Sequence, residues 1–113
     1  MQLTIVIPAL NEAERIRPTL EEYAGHFRSV YGQRFEILVV LNGCTDDTRL
    51  VVGEVSERFP QVRFIEFEQP IGQGGALWEG FQDWNGEILA FADADNMVKA
   101  SETGKLIHSL DNW

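Results

Sequence analysis

Cysteine is almost missing from this chain of 113 residues: Cys44 stands alone. That excludes an internal disulfide framework and a Cys-rich zinc site. No His or Lys neighbours Cys44 in sequence to activate it, so it reads as an incidental thiol. Positive charge is also scarce. Nine Lys and Arg face eighteen Asp and Glu, for a net charge of -9. A nucleic-acid groove or a polybasic membrane anchor needs the opposite local balance, so neither is expected. The acidic excess suits divalent cations as partners, and it equally suits plain solubility. No apolar run approaches the roughly 20 residues that span a bilayer. Met1 and Gln2 lead directly into a strand-like run with no leader pattern, so a reducing, cytoplasmic setting is the expectation. Internal repeats, low-complexity tracts and linkers are lacking too. The two histidines, His26 and His108, read as surface or boundary residues.

What is present is an alternation of two periods. Short apolar runs at 3–7, 35–41 and 87–92 are nearly continuous, as strands buried on both faces require. A fourth run at 62–67 alternates, with Val62, Phe64 and Glu66 on one side and Arg63, Ile65 and Phe67 on the other. Alternation predicts a strand near a sheet edge. Between the runs the period becomes helical. Residues 18–31 place Leu20, Tyr23, Ala24, Phe27 and Val30 on one face, with Pro18 in the first turn and 11–17 as a loop or a single short turn before it. Residues 46–59 carry a stripe of Val51, Val52, Val55 and Phe59, with Thr45 as the expected cap. Residues 74–84 and 101–110 give two further helices, the latter capped by Ser101. Strand and helix thus alternate four times, which predicts an α/β fold: a parallel sheet with helices on both faces, joined by right-handed crossovers.

In such sheets ligands bind beyond the carboxyl ends of the strands. The segments there are Pro8-Ala9-Leu10-Asn11-Glu12, Asn42-Gly43-Cys44-Thr45-Asp46-Asp47-Thr48, Pro70-Ile71-Gly72-Gln73-Gly74-Gly75 and Asp93-Ala94-Asp95-Asn96. All four are polar or glycine-rich, and their sharing of one rim is the main argument for a site. Asp93 and Asp95 close an apolar run. Two carboxylates this near each other need a cation or hydrogen bonds to offset repulsion, and hard oxygens suit Mg²⁺ or Mn²⁺. A turn cap beside a solvated aspartate explains the same pair. The glycines at 72, 74 and 75 permit close backbone approach to a phosphate, or simply a tight turn. The loop is no P-loop, and the first strand lacks a dinucleotide fingerprint.

Taken together, the segments resemble the nucleotide-sugar-binding half of family 2 glycosyltransferases, whose fold is called GT-A. Val6-Ile7-Pro8-Ala9-Leu10-Asn11-Glu12 looks like the family's opening strand and Pro-X-X-Asn-Glu loop. Asn42-Gly43-Cys44-Thr45-Asp46-Asp47-Thr48 is similar to its Asp-Gly-Ser-X-Asp-X-Thr segment. Gly72-Gln73-Gly74-Gly75-Ala76, with Gly80 four residues on, is similar to its Gly-Lys-Gly-X-Ala element. Phe91-Ala92-Asp93-Ala94-Asp95 matches its Asp-X-Asp signature. The branch most resembled makes polyprenyl- or dolichyl-phosphate sugars. Two positions depart from the pattern: Leu41 stands where many members are acidic, and Gln73 replaces the common Lys.

The resemblance implies a Rossmann-like three-layer α/β/α parallel sheet in the order 3-2-1-4. Residues 1–113 would form a single nucleotide-sugar-binding domain, the N-terminal part of a longer catalytic domain. The implied reaction is inverting, metal-dependent sugar transfer from a UDP-sugar or GDP-sugar to an acceptor such as a polyprenyl phosphate. Pro8, Ala9, Asn11, Glu12, Asn42, Gly72, Gly74, Gly75 and Asp93 would bind the donor nucleotide. Asp93 and Asp95 would hold the Mg²⁺ or Mn²⁺. The family's catalytic base belongs to the other half of the domain, so no general base is assigned. Membrane attachment at the cytoplasmic face in a longer protein, and self-association through a bare strand-four edge, are further expectations. The competing readings are a non-catalytic nucleotide-binding fragment and a sugar-phosphate nucleotidyltransferase. The latter class opens with a Gly-rich loop carrying Arg and Lys, which Pro8-Ala9-Leu10-Asn11-Glu12 is not.

Overall fold

The computed structural model describes residues 3–71, 75, 79, 88–92 and 94. They form β1 (Leu3–Ala9), α1 (Ile16–Tyr31), β2 (Phe35–Asn42), α2 (Thr48–Arg58), β3 (Val62–Phe67) and β4 (Ile88–Phe91). The four strands make one sheet in the order β3-β2-β1-β4, every neighbouring pair parallel. The expected order is thus borne out. Of the expected helix at 74–84 only Gly75 and Glu79 are described, both helical, and the one expected at 101–110 lies outside the described residues.

Pairing register explains why β1 and β2 are largely apolar. Leu3 stands beside Phe35, Ile5 beside Ile37 and Ile7 beside Val39, so their side chains share one face. That face receives α1 and α2. Ile16, Leu20, Tyr23, Ala24, Phe27 and Tyr31 of α1, with Val52 and Val55 of α2, complete a single buried cluster with it. Phe27 sits at its centre, with ring centroids 6.0 Å from Tyr23 and Tyr31 and 6.2 Å from Phe35. Full burial of each such side chain contributes about 1.5–3 kcal/mol. On the opposite face Val6 and Val40 form a second buried nucleus, flanked by Ile65, Phe67 and Leu89. β3 is only partly buried beyond Val62, as its alternating pattern predicts for an edge strand.

Three local expectations need correction. The helical stripe of α1 closes on Tyr31, while Val30 is exposed, because at 3.6 residues per turn the step of four from Phe27 to Tyr31 stays nearer the apolar face than the step of three to Val30. Pro18 is not at the head of the helix but third in it. It is tolerated there because its missing N–H is one of the four that a first turn leaves unpaired. The carbonyl of Glu12 closes the turn instead, accepting from the N–H groups of Arg15 at 3.0 Å and Ile16 at 2.8 Å. Finally, Thr45 does not cap α2. Asp46 turns the chain into it, its Oδ1 accepting from the Thr48 N–H at 2.9 Å and from the Thr48 hydroxyl.

Candidate functional site

The parallel register brings the carboxyl ends of the strands to one rim. Ala9 ends level with Leu41, and Asn42 lies level with Phe67. β4 ends beside Val6, and its ladder runs on through the Ala92 N–H, which donates to the Val6 carbonyl at 3.0 Å. The segments singled out in the sequence therefore leave the sheet on the same side.

Side chains of these segments clasp one another. Asn11 has φ 53°, a left-handed conformation that asparagine adopts more readily than most residues. Its Oδ1 accepts from the backbone N–H of Thr45 at 2.8 Å and of Asp46 at 3.2 Å, 34 and 35 residues away. Asp46 reaches back, its Oδ2 accepting from the Ala13 N–H at 3.3 Å. The Glu12 N–H donates to the Thr48 hydroxyl at 2.9 Å. With the Thr45 hydroxyl, which donates to the same Asn11 Oδ1 at 3.4 Å, the two segments share five cross-links. The hydrogen bond from the Thr48 side chain, helped by the Thr48 and Ala13 N–H groups, holds the Asp46 carboxyl below the usual aspartate range; slight desolvation opposes this.

Asn42 does the same for the third loop. It is buried, and its Oδ1 accepts from the Ile71 N–H at 2.7 Å. Gly43 follows with φ +68°, its N–H donating to the Phe67 carbonyl at 2.8 Å. A Cβ at Gly43 would stand 2.5 Å from the Pro70 nitrogen, so only glycine lets the second and third loops approach this closely. Gly75 packs on Ile71, where a Cβ would come within 3.3 Å of that side chain. Cys44 donates to the Ala9 carbonyl at 3.3 Å. Leu41 is wholly buried in the core.

Pro8, Ala9, Asn11, Glu12, Asn42 and Gly75 are gathered at the rim. Pro8 is half-buried and Ala9 buried at the end of β1. The Glu12 carboxylate lies 2.7 Å from the Arg15 Nε, without hydrogen-bond alignment. Gly72, Gly74, Asp93 and Asp95 lie outside the described residues. Ala94, between the two aspartates, is described: it is buried, and its carbonyl accepts from the Thr19 hydroxyl at 2.8 Å. Among the described residues no cluster of three or more His, Cys, Asp or Glu could hold a metal. Thr19, Thr45, Asp46 and Thr48 were not singled out as binding residues. Each has a partner more than 30 residues away, and only the polarity of Thr45-Asp46-Asp47-Thr48 hinted at this.

Four parallel strands in the order β3-β2-β1-β4, with clasped loops at their carboxyl ends, define an open α/β sheet of the class that places ligands at that rim. The family 2 glycosyl transferase model matches residues 4–112 of the chain. The chain belongs to that family. The dolichyl-phosphate beta-glucosyltransferase of Saccharomyces cerevisiae is 36% identical over 96% of this chain and 34% of its own length. The probable glycosyltransferase YdaM of Bacillus subtilis is 31% identical over 98% of this chain and 27% of its own. Residues 1–349 of S. aureus TarS, solved with UDP-GlcNAc, share the fold: the TM-score is 0.83 at 21% identity, over 99% of this chain and 32% of that one. A mannosyltransferase of Pyrobaculum calidifontis, solved with GDP-Man and Mn²⁺, gives a TM-score of 0.75 at 27% identity, over 83% of this chain and 27% of that one. The fold is therefore GT-A. The chain spans about a third of the length of the curated relatives it matches.

Proposed function

We propose that the chain is the donor-binding part of a sugar transferase that takes a UDP-sugar or GDP-sugar. The observation that carries this reading is the convergence of the family's signature segments at the carboxyl rim of one parallel sheet. The relatives' names extend it to a glucosyl donor and a dolichyl-phosphate acceptor. An acceptor of that kind would bring the protein to a membrane surface. Among the described residues, no helix is long and apolar enough to cross one.

In this reading Pro8 and Ala9 form the floor of the nucleoside pocket. Asn11, Glu12 and Asn42 shape its walls by holding the loops, since the Asn11 and Asn42 amide oxygens are engaged by backbone N–H groups. Gly72, Gly74 and Gly75 let the third loop approach the donor. Asp93 and Asp95 supply hard oxygen donors of the kind that Mg²⁺ and Mn²⁺ prefer. When bound, such a cation neutralises charge on the departing nucleoside diphosphate. A phosphate acceptor is largely deprotonated at neutral pH, so its oxygen would form the new bond to the anomeric carbon as the bond to the nucleoside diphosphate breaks.

The test is a thermal-shift series with UDP, GDP and their sugar conjugates, with and without Mn²⁺. A ligand at 100 times its Kd stabilises by about 2.7 kcal/mol, several degrees in a domain this size. The expected result is a shift that needs one nucleotide and the metal together and disappears in Asp95→Ala with the fold intact. An Asp95→Ala protein that keeps its metal dependence would overturn the assignment of Asp95. The absence of any shift in the wild type would overturn the donor site.

A further inference from the structure

Thr19 presents an unusual hydroxyl. It is fully buried on α1, on the face that otherwise carries Ile16, Leu20, Tyr23 and Phe27. A β-branched apolar residue would fill that space without a polar atom to satisfy. A threonine inside a helix commonly bonds the carbonyl four residues back, and the Arg15 carbonyl does lie 3.0 Å away. A second oxygen is nearer. The Ala94 carbonyl, 75 residues distant in sequence, stands at 2.8 Å. A hydroxyl carries one hydrogen, so the shorter contact competes with the local one. Ala94 is itself buried and belongs to the α1-facing cluster, and a buried carbonyl requires a donor. The residue before the acidic stretch is held as well, through the Ala92 N–H on the Val6 carbonyl. The chain is thus pinned to β1 just before Asp93 and to α1 between Asp93 and Asp95.

We infer that Thr19 is a positioning residue for the Asp93 and Asp95 pair. Its hydroxyl fixes the peptide between the two aspartates against α1, so that both carboxylates can serve one divalent cation with a nucleoside diphosphate. This rests on the donor-site reading above and adds to it a residue outside all four signature segments. Thr19 touches neither nucleotide nor metal in this role. Its effect is on metal use, not on the nucleotide as such.

The test compares Thr19→Ser with Thr19→Ala. Both delete the buried methyl, and they differ in the hydroxyl. UDP, and GDP in parallel, is titrated against the chain over a series of Mn²⁺ concentrations and again without metal. Thr19→Ser is expected to match the wild type within about twofold. Thr19→Ala is expected to need about fivefold more Mn²⁺ for half-maximal nucleotide binding, the scale of one hydrogen bond. Metal-free nucleotide affinity should not move. Equal Mn²⁺ requirements for the two variants would overturn the inference, and so would an equal loss of metal-free affinity in Thr19→Ala, which marks general loosening. If Thr19→Ala does not fold, Thr19→Val, which keeps the volume and lacks the hydroxyl, takes its place under the same criteria. If both unfold while Thr19→Ser folds, the hydroxyl serves folding and the inference falls. A wild type whose nucleotide binding ignores Mn²⁺ removes the donor-site reading itself, a result separable from each of these.

Discussion

The two ends of the same sheet use polar side chains in opposite ways. At the amino ends of β1, β2 and β3, Thr4, Glu36 and Arg63 point to each other. The Thr4 hydroxyl donates to Glu36 Oε1 at 2.9 Å, and Arg63 grips both carboxylate oxygens, Nε to Oε2 at 2.9 Å and Nη2 to Oε1 at 3.3 Å. Thr4 and Glu36 are buried. In this cluster side chain answers side chain, and three neighbouring strands are tied in register. At the carboxyl ends, Asn11, Asn42 and Asp46 instead accept from backbone N–H groups of other loops. Side chains there hold main chain in place, and loops so held form an edge on which a ligand can rest. Burial of a closed ion pair adds little net stability but punishes loss of one partner, whereas an exposed clasp is cheap to make and cheap to break. Structural polarity and site polarity can therefore be told apart by their partners.

Substitutions can break that contrast. The largest effect is expected at Gly43. Gly43→Ala puts a Cβ into Pro70 at a left-handed φ, and should lower unfolding stability by about 3 kcal/mol in denaturant titration. It should also weaken nucleotide binding, because the second and third loops must separate. Next comes the amino end. Arg63→Ala leaves the buried Glu36 carboxylate without its main cation, at a cost of about 2 kcal/mol, less than for a fully buried pair because the Arg63 side chain is 35% exposed. Metal-dependent nucleotide binding by the folded fraction should be unchanged, which chemical denaturation and nucleotide titration together would check. If it falls, the two ends are coupled and the contrast fails.

The smallest effect concerns pH. The Asp46 carboxyl titrates lower in the folded chain than in the unfolded one. Its stabilising contribution is therefore complete above the ordinary aspartate range and is lost as pH falls through the lowered folded value. Asp46→Asn should remove that acid-limb dependence and change stability at neutral pH by less than about 1 kcal/mol, since the group is exposed. Thermal midpoints of both proteins across the acid range decide it. An identical acid limb in the variant would assign that limb to other carboxylates.

Particular residues mark how far the sequence could be read. The strands were legible because their apolar runs reflect burial on both faces, a local property. The rim followed from the rule that ligands sit at the carboxyl ends of parallel strands. Helix boundaries were less legible. Pro18 invites placement at a helix start, yet the Glu12 carbonyl begins the turn earlier. Thr45 has the chemistry of a cap, but Asp46 wins because its carboxylate reaches both Thr48 donors. Asn11 was chosen as a site residue from the motif it belongs to, and nothing in its neighbours announced that its amide oxygen bridges to Thr45 and Asp46.

What the sequence determined by itself is what recurs at short range: the alternation of strand and helix, the parallel sheet that such alternation forces, and the loops that must share a rim. Period and turn chemistry are written within ten residues, so they survive without a partner. What only the tertiary structure decided is which distant groups meet. The Thr19 hydroxyl reaches Ala94 across 75 residues, and Arg63 reaches Glu36 across 27. Those pairings depend on strand register and helix placement to within an ångström, because a hydrogen bond weakens steeply outside its narrow range of distance and angle.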